Sequence, residues 1–164
     1  KFAKCVCARR VGQRPRLAAG LLEEFPHLAA EAVALFVAAV EEPEEAVARS
    51  GLAALAELAP RVRGEDAAVL FFTGPVTTIA RLLERSAPPV PASFGKAALD
   101  ALARVAQCDE TLLADPRQHQ ARGELPPLLR LAFRLAAERP ELRTAALRFL
   151  AAAARSHSRL FVTT

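Results

Sequence analysis

The chain has 164 residues, 52% of them hydrophobic and 24% charged, with a formal net charge of +4 at pH 7. That is one domain with room for a substantial core, and it excludes a disordered chain. Three cysteines (Cys5, Cys7 and Cys108) are too few for a disulfide-built secreted scaffold. No uninterrupted apolar run reaches the roughly 18 residues of a membrane span, so no membrane partner is expected.

The first sixteen residues carry Lys1, Lys4, Arg9, Arg10, Arg14 and Arg16 and no acid. Lys4, Arg9, Arg10, Arg14 and Arg16 form a candidate basic patch for nucleic acid or an acidic partner. Only Phe2 is interleaved with these charges, so the stacking component of single-strand binding is missing. A solvated helix face explains the segment more simply.

From there on the residues are those of helices. Ile occurs once, at Ile79, Asn is absent, and Ala, Leu, Arg and Glu dominate. Helices are expected over residues 26–40, 43–59, 65–73, 75–85, 92–106, 125–137 and 140–154. Pro15, Pro26, Pro43, Pro75, Pro91 and Pro140 each open an apolar-periodic stretch, where a missing N–H costs nothing. Glu44, Glu45 and Glu141 then put negative charge into the positive first turn. The fold class is all-α.

A pattern Leu-x-x-Leu-Ala-x-x-Ala recurs along the chain. It reads Leu52, Leu55, Ala56, Ala59, then Leu99, Leu102, Ala103, Ala106, then Leu147, Leu150, Ala151, Ala154. Between these stretches, Gly74-Pro75 through Leu82 matches Gly123-Glu124 through Leu131, and Phe25-Pro26 begins a weaker copy. An Ala/Leu-rich helix produces the first pattern easily by chance. Proline, glycine and two helix patterns returning in one order at nearly one offset is the signature of a repeat.

This arrangement resembles the armadillo/HEAT superfamily, and its armadillo form more closely. In that comparison residues 65–73 match the short first helix, Gly74 the turn, residues 75–85 the second helix and residues 92–106 the third. Ala98-Leu99-Asp100-Ala101-Leu102-Ala103 carries the third-helix core. The resemblance implies a right-handed α-solenoid of about three units, near residues 14–59, 65–106 and 109–154, with another beginning at 157–164. Met is absent and a further unit opens at the end, so the sequence is expected to be part of a longer chain.

Peptide-binding armadillo proteins clamp extended chains with an asparagine on the third helix and a tryptophan one turn earlier. The matching positions here are Ala54, Ala101 and Phe149, and Ser50, Ala97 and Ala145. None carries an amide or an indole, so that mode of peptide capture is not expected. What remains is the polar face of the third helices. Arg49, Glu57, Lys96, Asp100, Arg104, Arg143 and Arg148 alternate in sign there, as candidates to meet a protein partner or adjacent repeats of the parent.

Nothing points to chemistry. His27, His119 and His157 are far apart in sequence, and Ser156-His157-Ser158 offers adjacency without the geometry of a triad. Cys5-x-Cys7 lacks two further ligands for a closed metal site, and no glycine-rich phosphate loop is present. No catalytic residue, metal or cofactor is expected. The cysteines read as small buried residues in a reducing, intracellular compartment, cytoplasmic or nuclear. The expected function is a non-enzymatic interaction scaffold or adaptor. Binding of nucleic acid or an acidic partner through residues 1–16 is the alternative.

Overall fold

The computed structural model describes residues 29–62, 65–85, 90–108, 113 and 125–156, and every regular element among them is helical. In chain order these are α1 (Ala29–Val40), α2 (Glu45–Leu58), α3 (Glu65–Phe71), α4 (Thr77–Glu84), α5 (Ala92–Cys108), α6 (Pro127–Glu138) and α7 (Arg143–Ser156). A short 3-10 turn, Ala59–Arg61, follows α2.

Two rows of helices share one core. The three helices carrying the Leu-x-x-Leu-Ala pattern lie in sequence, α2 against α5 and α5 against α7. The others form a second row: α1 meets α3, and α4 meets α6. Between the rows, α1 packs on α2, α4 on α5 and α6 on α7. The core runs through the whole arrangement, from Phe36 and Leu52 through Phe71, Leu99 and Leu102 to Leu142 and Phe149.

Proline does open helices, though not at every expected position. Pro43 and Pro91 lie just ahead of α2 and α5, and Pro140 sits in the turn before α7. Pro127, unanticipated from the sequence, is the first residue of α6. Pro15 and Pro26 lie outside the described residues.

Pro75 overturns an expectation. A turn at Gly74 was expected between two helices, yet α3 and α4 are joined by a π-helical segment, Phe72–Val76, with Pro75 buried inside it. A proline within a helix clashes with the carbonyl four residues earlier. The wider π register relieves this, and the Thr77 N–H reaches back five residues to the Phe72 carbonyl. The hydroxyls of Thr77 and Thr73 reinforce the bend by donating to the carbonyls of Phe72 (2.6 Å) and Val69 (2.8 Å). Gly74 is explained by its neighbour instead of by a turn, since a Cβ there would come within 3.3 Å of Val33 Cγ1 on α1. By length and composition alone, the stretch Ala67–Glu84 is apolar enough to cross a membrane. In this fold its apolar residues Val69, Phe71, Val76, Ile79 and Leu83 are buried against the other helices.

The repeated pattern separates the last helix from the other two. Leu52, Leu55, Ala56 and Ala59 are all buried, as are Leu99, Leu102, Ala103 and Ala106. In α7 only Leu150 of the four is buried, whereas Leu147 is 52% exposed and Ala151 and Ala154 face outward. Leu147 belongs to the last copy of the pattern, and no described helix lies beyond α7 to cover it.

Close approach depends on small side chains. A Cβ at Gly51 would lie 3.0 Å from Ala39 Cβ and 3.1 Å from the Val40 backbone nitrogen, so α2 and α1 touch along their main chains. Alanine gains about 1 kcal/mol over glycine in an ordinary helix. Here it would push two packed backbones apart, at a cost of about 1–3 kcal/mol. Gly51→Ala is therefore expected to destabilise the protein in urea unfolding followed by helical circular dichroism. Thr144→Ala, at an exposed position of α7, should be neutral or slightly stabilising.

Candidate functional site

Among the described residues an open groove of about 470 Å³ lies between α2 and α5. Its α2 wall is Ala46, Arg49, Ser50, Leu52, Ala53 and Ala56, and its α5 wall is Ala97, Asp100, Ala101 and Arg104. Each set follows helical spacing of three and four, so one face of each helix is presented to the groove. Alanine on both walls makes the space: neither side sends a side chain long enough to close it.

The charges sit on the rim and are solvated. Arg49 Nη1 lies 4.0 Å from Glu45 Oε1 one turn back on its own helix. Asp100 Oδ1 accepts a 2.9 Å hydrogen bond from Arg148 Nη1, which ties α7 to α5. Arg104 is exposed and makes no ion pair among the described residues. The Ser50 hydroxyl donates to the Ala46 carbonyl one turn back (2.9 Å), so its proton is used within α2.

The expected partner-binding residues divide accordingly. Arg49, Asp100 and Arg104 converge on the groove, and Arg148 joins them through Asp100. Glu57 is half-buried on α2 beside Ala56. Lys96 and Arg143 lie elsewhere. Arg143 Nε donates to the Ala136 carbonyl near the end of α6 (3.0 Å), and Lys96 lies on the side of α5 near Glu141. A backbone hydrogen bond at Glu141 and its hydrogen bond with Arg139 hold the Glu141 carboxyl below the usual carboxylate range, with a small contribution from the Lys96 charge.

Sequence reasoning singled out charges and missed the alanines that shape the groove. Ala46, Ala53 and Ala97 are not core residues, and their helical spacing with Arg49 and Asp100 was the available signal. Of the positions matching the armadillo asparagine and tryptophan, Ser50, Ala97 and Ala101 line the groove, while Ala54, Ala145 and Phe149 are buried. Cys108 is exposed, contrary to its reading as a small buried residue. It ends α5 one turn beyond Arg104, where the buried stripe has turned away. The basic patch Lys4, Arg9, Arg10, Arg14 and Arg16 lies outside the described residues, as do all three histidines, Cys5 and Cys7. Among the described residues no three of His, Cys, Asp and Glu come together as metal ligands.

Comparison of the chain with family models, curated proteins and solved structures returns no match.

The Asp100–Arg148 pair joins two helices, but its side chains remain 44% and 62% exposed. Water and salt screen such a pair, and its worth is at most about 1 kcal/mol. A double-mutant cycle with Asp100→Asn and Arg148→Gln is expected to give a coupling below that value, fading as salt is added. A larger, salt-insensitive coupling would show that the pair governs the stacking of α5 and α7.

Proposed function

We propose that this chain is a segment of a right-handed, armadillo-like solenoid acting as a non-enzymatic scaffold that binds another protein along its third-helix face. In this reading α1–α2, α3–α5 and α6–α7 belong to successive units near residues 14–59, 65–106 and 109–154. The observation carrying it is the alanine-walled groove between α2 and α5, rimmed by Arg49, Asp100 and Arg104. The neighbour order supports it as well, because the pattern-bearing helices pack one on the next. A stack of helical units gives such a groove naturally, since each repeat presents the same face beside its neighbours.

The chemistry of the groove favours a segment with small or apolar anchors and charges at its edges. It does not favour backbone capture of an extended chain, because no amide side chain projects from the matching positions. An adaptor role requires nothing further of the residues: binding uses their shape and charge, and no bond need be made or broken.

The test is site-specific photo-crosslinking in cells from position 53, in the groove, and from position 73, exposed on the other row. A discrete protein adduct is expected from position 53 and not from 73. Ala97→Arg, which fills the groove from the facing wall, should abolish it. Equal adducts from both positions, or an adduct indifferent to Ala97→Arg, would overturn the proposal.

A further inference from the structure

The two large apolar side chains most exposed among the described residues are Phe133 on α6 and Leu147 on α7, at 47% and 52%. Both lie at the same end of the arrangement. Arg134 Nη2 reaches back to Glu84 Oε1 on α4 (3.4 Å), and Phe133 falls on the opposite side of the buried stripe Leu128, Ala132, Leu135. Likewise Arg148 reaches back to Asp100 on α5, and Leu147 falls on the far side of buried Ala145, Phe149 and Ala152.

What covers this face elsewhere in the chain is plain. Leu52 and Ala56 of α2 are turned toward α5. Gly95 of α5 meets Leu142 beside α7, and Leu99, Leu102 and Ala106 follow it on the same helical face. The α7 positions that match Leu99, Leu102 and Ala106 are Leu147, Leu150 and Ala154; Leu150 is buried, whereas Leu147 and Ala154, with Ala151 beside them, are exposed.

The charge at this end differs from that at the earlier joints. There, Glu84 and Asp100 accept arginines from the following helices. At the matching positions of α6 and α7 stand Phe133 and Arg148. Arg130, Arg143 and Arg155 are exposed on the same two helices, with Arg143 Nε donating to the Ala136 carbonyl (3.0 Å) and Arg155 Nε to the Ala151 carbonyl (3.2 Å). Residues 125–156 hold six basic and two acidic residues, residues 29–62 hold two basic and six acidic, and the described residues between them balance.

Resting on the stacked-repeat reading, we infer that the α6–α7 end is a docking face for an amphipathic helix of a partner protein, with a Leu/Ala stripe flanked by carboxylates. Leu147 and Phe133 anchor its apolar stripe, and Arg130, Arg143 and Arg155 meet its acidic rim. A second copy fits this face less well. End to end, two α6–α7 faces would bring like charges together. Head to tail, the acidic α1–α2 end offers no large exposed hydrophobic residue among those described to seat against Leu147 and Phe133.

The probe is a fluorescent synthetic peptide copying residues 44–60, which carries Leu52, Ala56 and Ala59 on one helical face with Glu44 and Glu57 to either side and Glu45 at the N-terminal end of that face. Titrated with the full chain, its anisotropy should show saturable binding that weakens with salt. Leu147→Glu, checked for unchanged helicity, should weaken binding by at least about tenfold. No binding, equal binding to the Leu147→Glu chain, or equal binding of a peptide with its glutamates changed to lysine would overturn the proposal. So would a concentration-dependent dimer in light scattering that Leu147→Glu dissolves, since that makes a second copy the occupant. A companion measurement tests the stacking itself: Leu52→Ala and Leu99→Ala should lower Tm by roughly 5–15 °C, and Leu147→Ala by less than about 2 °C. If that contrast holds and the peptide fails to bind, only the docking is lost; if the contrast vanishes, the stacked reading falls with it.

Discussion

The structure depends on how closely its helices can approach. Gly51 brings α2 onto the main chain of α1, and Gly95 lets Leu142 settle against α5. Alanine does the same less tightly at Ala56, Ala98, Ala103 and Ala106, all buried. Small residues contribute little apolar area each, so the larger share of burial comes from the leucines and phenylalanines they allow inward. Phe36, Phe71 and Phe149 are fully enclosed for that reason. Enlarging any of the small residues would separate helices whose leucines depend on that proximity.

The ion pairs follow the packing. Arg134 meets Glu84 and Arg148 meets Asp100, each joining a later helix to an earlier one, and Arg81 of α4 meets Glu41 in the turn after α1. All three are exposed, so they add little to stability. They lie where the packing of the leucines and phenylalanines has already brought the helices together.

Much of the fold was legible because its signals are periodic. Ala and Leu at helical spacing, with proline ahead of α2, α5 and α7, identified an all-α chain and most of its helices. The join between α3 and α4 was not legible, because Gly-Pro reads locally as a turn. What decided it was the nearness of α1 to Gly74 and the back-bonding of Thr73 and Thr77, which arise only in the folded chain. The candidate groove was half legible. Arg49, Asp100 and Arg104 could be picked out as polar positions on third helices, and a groove alanine such as Ala53 differs from a core alanine such as Ala54 only in its helical spacing from those charges. Leu147 shares its place in the repeat with buried Leu52 and Leu99, and only the absence of a described neighbour leaves it exposed.

The π-helical segment between α3 and α4 acts as a change of phase. An extra residue in one turn rotates everything after it by about a quarter turn relative to an unbroken α-helix. Before the segment, the helix serves α1; after it, α4 serves α5 and α6. One continuous rod thereby presents its greasy stripe in two directions, a task that would otherwise require two helices and a loop.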